Sequence, residues 1–87
     1  MILTAIAVTT LAGVTKVRDG DRVTVIRPLE DGLTYIVETP YGKERWRDRD
    51  LYYLALHGET CRVVKSFGTE VQLYVPLMDQ VYWFVVE

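Results

Sequence analysis

Between Asp19 and Pro76 the chain is interrupted every ten or so residues by turn-forming residues, and no stretch between interruptions carries a long helical period. Asp19-Gly20 and Asp31-Gly32 tolerate the positive φ of tight hairpins. Pro40-Tyr41-Gly42 places proline where φ is preset and glycine near the turn's exit. His57-Gly58, Ser66-Phe67-Gly68 and Pro76 follow. The intervening segments, at about residues 2–11, 21–27, 33–39, 43–48, 60–66, 69–75 and 80–87, are rich in Val, Ile, Thr and Tyr. Short strands at this spacing predict an all-β chain, a sandwich or a small antiparallel barrel, one domain spanning residues 1–87. Only Asp48–Leu56 offers a turn or so of helix, with Asp50 as its cap. No linker and no internal repeat is visible.

Alternation assigns the faces. Val23 and Val25 oppose Arg22 and Thr24; Leu33, Tyr35 and Val37 oppose Thr34 and Glu38, with Ile36 breaking the polar side. Val71, Leu73 and Val75 oppose Glu70, Gln72 and Tyr74. The last segment is apolar on both sides: Val81, Trp83 and Val85 against Tyr82, Phe84 and Val86. Such a strand at a bare edge invites aggregation, so it is expected either in the middle of a sheet or against another copy of the chain. Tyr82, Trp83 and Phe84 are the candidate self-association residues.

The formal net charge is −2, which counts against wholesale neutralisation of phosphates. Residues 1–15 carry no charge, and all ten Lys and Arg lie between Lys16 and Lys65. Any electrostatic steering must come from a local patch, and the sequence offers YGKERWRDRD, Tyr41–Asp50. As a strand it projects Lys43, Arg45, Arg47 and Arg49 from one face, and Glu44, Trp46, Asp48 and Asp50 from the other. Successive cations then stand roughly 6.5–7 Å apart, a spacing suited to an acidic peptide or to phosphates. The bland counterpart is a solvated, salt-bridged face that keeps an edge soluble.

The segment GDRVTVIRPLEDGLTYIVETPYGKERWRDRDLYYL, Gly20 to Leu54, resembles an SH3-like small barrel of the broad class that includes bacterial SH3, KOW and Tudor domains. Gly20-Asp21 leads into Val23 and Val25; Tyr35-Ile36-Val37 forms a second strand; a hairpin closes at Gly42; and a charged third strand precedes Leu51–Leu54. The apolar segment before Gly20 and the two strands after Lys65 are additions at the two ends. The resemblance implies a small antiparallel barrel rather than a sandwich, and a binding module.

On these grounds the chain is expected to be a non-catalytic module that binds a protein partner, with acidic character, through Tyr41, Lys43, Arg45, Trp46, Arg47, Arg49, Tyr52 and Tyr53. Arg, Tyr and Trp are the residue types that dominate interface energetics. The alternatives are a nucleic-acid-binding barrel that uses the same arginines and rings, and a self-assembling structural subunit. A Tudor-like aromatic cage would need Tyr35, Tyr41, Trp46 and Tyr53 to converge.

No enzyme activity, metal or cofactor is expected. Cys61 and His57 are the only nucleophile–base pair, and the pairs Asp19/Asp21 and Asp48/Asp50 lack the oxygen count calcium needs. A single cysteine suits a reducing interior, and the uncharged start reads as a buried strand rather than a leader or membrane span, so a cytoplasmic location is expected. If the cationic row is exposed, replacing Arg45 and Arg47 together with Ser will shift stability by no more than about 0.5 kcal/mol per site in thermal melts. Loss of the fold would make the row structural.

Overall fold

The computed structural model describes residues 13–87. It contains six strands and, among the described residues, no helix: β1 (Arg22–Pro28), β2 (Thr34–Thr39), β3 (Gly42–Asp48), β4 (Glu59–Ser66), β5 (Glu70–Val75) and β6 (Gln80–Val86). They close into an antiparallel barrel in the order β1-β2-β3-β6-β5-β4. Each strand lies within a residue or two of its sequence-predicted position, whereas the first predicted strand, residues 2–11, falls outside the described residues.

The barrel consists of two three-stranded meanders, β1-β2-β3 and β4-β5-β6, joined where β1 meets β4 and where β3 meets β6. The first strand of each meander carries an irregularity at a matching place, between Val25 and Arg27 in β1 and between Val63 and Lys65 in β4. Buried Val23, Val25, Trp46 and Asp48 correspond in this way to buried Cys61, Val63, Phe84 and Val86. The chain therefore repeats its architecture, which no repeat of residue identity reveals. The two C-terminal strands, expected as additions to a smaller barrel, are staves of its wall.

Inward positions fill the interior. Val23, Val25, Val37, Val63, Val71, Leu73 and Val75 surround Tyr35, Trp46 and Phe84. Phe84 meets Tyr35 edge-on at 6.0 Å between ring centroids and Trp46 at 6.4 Å. Such aromatic contacts stabilise beyond the area they bury. Val17, in the segment before β1, joins this core. The same segment is tied down by Gly13 N–H to Val86 O (2.9 Å) and Thr15 N–H to Gly68 O (2.7 Å). At Gly13 the chain passes so close to β6 that an added Cβ would sit 2.2 Å from Glu87 O, which leaves room only for glycine.

The helical turn expected at Asp48–Leu56 does not form. Leu51, Tyr53 and Ala55 instead take positive φ (59°, 53° and 57°), a conformation unfavourable for residues with a Cβ. Asp48, not Asp50, organises the connection. Its carboxylate is fully buried and accepts the N–H of Asp50 (3.1 Å) and of Tyr52 (2.7 Å). Asp48→Ala would leave these two donors without their acceptor, so the variant is expected to lose ~1–3 kcal/mol in urea unfolding. Unchanged stability would show that the connection is held by something else.

Candidate functional site

The β2–β3 hairpin turns at Pro40-Tyr41, where the Thr39 hydroxyl donates to Gly42 O (2.7 Å) and accepts from Tyr41 N–H (3.0 Å). Beyond the turn, alternation along β3 sends Lys43, Arg45 and Arg47 outward and Trp46 and Asp48 into the barrel. Arg49 is also exposed but lies one residue past the strand.

The cationic row is not uniform. At its far end Arg47 pairs with Glu87 (3.1 Å), and Arg49 pairs with Glu70 (3.3 Å) and Asp50 (3.3 Å) while its guanidinium lies 4.7 Å from the centre of the Trp83 ring. At its near end Lys43 and Arg45 make no ion pair among the described residues. They flank an open cleft of about 700 Å³, lined by Val14, Lys16, Ile36, Tyr41, Lys43, Glu44, Arg45, Val86 and Glu87.

Both carboxylates in that lining are already engaged. Glu44 accepts from Trp46 Nε1–H (2.8 Å) through one oxygen and from Lys16 N–H (3.3 Å) through the other. Glu87 accepts from Arg47. The cleft therefore offers three cationic side chains beside exposed Val14 and half-buried Ile36, with buried Val86 beneath. Ile36, the residue that breaks the polar side of β2, stands opposite Arg45. Tyr41 closes one flank, and a hydrogen bond with Asp21 raises its phenol above the ordinary value. A guanidinium and an ammonium so placed suit carboxylates or phosphates, and the apolar residues suit an aliphatic side chain.

Not every predicted site residue belongs here. Trp46 is fully buried between β2 and β6 and does not reach the surface. This corrects its assignment as a partner-facing anchor; its role is to fill the barrel. Tyr52 is exposed but packs edge-on against Tyr82 (5.6 Å), which itself packs against the core from the start of β6, away from the cleft lining. Tyr53, also exposed, lies against Gly32 in the β1–β2 connection. With Tyr35 and Trp46 both inside, the four rings form no aromatic cage. Of the self-association residues, Phe84 is core, while Tyr82 and Trp83 are partly exposed. Phe67, 60% exposed, stacks on Trp83 at 5.6 Å. Val14, Lys16 and Val86 were missed as site residues, because only the fold brings residues before β1 and at the end of β6 beside the hairpin.

The remaining chemistry-bearing residues are occupied structurally. Asp19 accepts Ser66 N–H, tying the turn before β1 to the end of β4, and Asp21 accepts Arg18 N–H, fixing that turn. No group of three or more His, Cys, Asp and Glu capable of holding a metal occurs among the described residues. Asp31 accepts Thr34 N–H, Leu33 N–H and the Thr34 hydroxyl, in that order of influence, and these bonds hold its carboxyl below the usual value. No helix of the described residues is long and apolar enough to cross a membrane. Comparison with known proteins found no matching family model, no similar curated protein and no similar solved structure.

Cys61 faces the core at 2% exposure, whereas His57 is exposed on the connection before β4. Burial, and secondarily the charge of Glu59, pushes the Cys61 thiol up to about 12. Burial likewise raises the Tyr35 phenol; its hydroxyl faces the Ala55 and Leu56 backbone without reaching hydrogen-bond geometry. Both groups are neutral when protonated and harder to ionise folded than unfolded. The Cys61 contribution to stability is complete below about pH 9, the ordinary thiol value, and is lost as pH rises towards 12; that of Tyr35 is lost in the same direction, above its ordinary phenol value. Unfolding free energy should therefore fall above pH 9, with a shallower fall in Cys61→Val. At pH 8 iodoacetamide should label Cys61 only after denaturation. Rapid labelling of the native protein would contradict this account.

Proposed function

We propose that this domain is a non-catalytic interaction module, an SH3-like barrel in the broad sense, that docks a protein partner at the cleft beside the β2–β3 hairpin. The observation that carries the reading is the division of the cationic row. Arg47 and Arg49 are neutralised within the domain, whereas Lys43 and Arg45 are left unpaired among the described residues, beside apolar residues and a tyrosine. Charges kept free at a concave surface steer a partner of opposite sign and penalise one of like sign. Tyr41 and Ile36 supply the contact area, and the cations select an acidic partner.

A nucleic-acid reading has its own support on the outer face of β4, β5 and β6. There Arg49 lies over Trp83, Phe67 stacks on the same ring, and Arg62 lies 5.5 Å from the centre of the Tyr74 ring. Stacked rings with arginines suit unpaired bases. Against it stand the net charge of −2 and the pairing of Arg49 with Glu70. The self-assembly reading loses its main motive, since β6 is hydrogen-bonded on both sides, by β3 and β5.

The readings separate in one comparison. Wild-type protein and a Lys43→Ser/Arg45→Ser variant, shown by thermal melting to be equally folded, are used to capture partners from a lysate of the native host. The docking reading expects a captured protein that the variant loses. Equal capture by both overturns it, and salt-sensitive binding to single-stranded DNA or RNA that depends on Arg62 and Phe67 favours the alternative.

A further inference from the structure

Among the described residues, the stagger between β3 and β6 leaves the first part of β3 as open strand edge, and this length borders the cleft. Along β3, successive residues turn their backbone groups to alternate sides. Asp48 N–H bonds Leu33 O on the β2 side, whereas Arg49 N–H bonds Trp83 O and Arg45 O accepts Glu87 N–H on the β6 side. Odd-numbered residues therefore address β6. Yet β6 pairs with β3 only from Trp46 to Asp48, while β2 pairs with β3 from Gly42 to Arg47. The N–H and C=O of Lys43 and the N–H of Arg45 consequently point to the β6 side with no partner among the described residues.

We propose that this edge accepts an acidic, extended peptide segment as an added strand, continuing the line of β6 alongside Lys43–Arg45. The proposal rests on the docking reading above and specifies the partner's conformation and chemistry. A strand laid here would satisfy the three free backbone groups. Its residues facing outward would stand beside Lys43 and Arg45, roughly 5 Å across the ladder, where carboxylates are the complementary choice. Its intervening residues would turn towards exposed Val14, above buried Val86, where aliphatic side chains fit. The preferred ligand is thus an alternation of acidic and aliphatic residues. A nucleic acid would answer the cations but cannot offer a donor and acceptors in strand register.

The test uses the full chain and a synthetic Glu-Val-Glu-Val-Glu peptide, alongside the same peptide N-methylated at alternate backbone nitrogens. Binding is followed by NMR titration and by amide hydrogen exchange at Lys43 and Arg45. Strand addition expects exchange at both amides to slow on binding. It also expects the N-methylated peptide to bind about tenfold or more weakly, the scale of a lost net hydrogen bond, and Lys43→Glu/Arg45→Glu to bind neither. Equal binding of the two peptides, abolished by the charge reversal, overturns strand addition and leaves docking in place. Amides of Lys43 and Arg45 already protected in the free full chain overturn it too, since the edge is then covered by the chain's own residues. Failure of both peptides to bind overturns the acidic-segment assignment, while the lysate comparison judges docking separately.

Discussion

The position of β6 governs this fold. A strand apolar on both faces must have its backbone groups paired and its inner side chains covered, because unpaired polar groups buried among apolar ones are costly. Placing β6 between β3 and β5 meets both needs, and it is also what closes the barrel. Phe84 then reaches Tyr35 and Trp46 in the opposite meander, so the two halves share one aromatic centre rather than two thin cores. For a chain of this size, where burial is limited, a shared centre is the economical arrangement.

The two meanders are alike in topology and in the places of their irregularities, and they differ where Asp48 stands against Val86. Val86 ends its strand on apolar contacts. Asp48 ends its strand on a connection of ten residues that must return to β4 without helix or sheet. A buried carboxylate is an unfavourable choice for packing. It is retained here because two N–H groups of that connection aim at it. The positive φ at Leu51, Tyr53 and Ala55 alternates with ordinary backbone, and exposed Tyr52 and Tyr53 meet different neighbours, Tyr82 and Gly32.

Much of this was legible in the sequence, for identifiable reasons. Turn dipeptides and period-two alternation are local, so the six strands and the shared face of Lys43, Arg45 and Arg47 could be read directly. The ambiguity of the final strand was also stated by the sequence, though its resolution needed the pairing with β3. What escaped was non-local. Trp46 looked like an interface anchor because alternation says which residues share a face without saying which face is inside. Tyr41, Tyr52 and Tyr53 are neighbours along the chain but separated by the hairpin and the connection. The helical turn at Asp48–Leu56 failed because its apparent cap, Asp50, is exposed, while the carboxylate two residues earlier is the one the backbone surrounds.

The same closure that protects β6 also leaves the strand edge on which the proposed docking rests. Staggered strands do not end level, so a barrel closed by short strands leaves part of one stave without a neighbour at its rim. Here that remainder is the first half of β3, next to the hairpin turn. Natural edges are commonly guarded by charge, and Lys43 and Arg45 would serve as such guards against indiscriminate pairing. Guards left unneutralised are also selective, since they repel basic strands and admit acidic ones. Arg47 and Arg49, where β3 is paired, need no such freedom and are bound to Glu87 and Glu70. The row of cations is thus one sequence feature with two physical roles, divided where β6 stops covering β3.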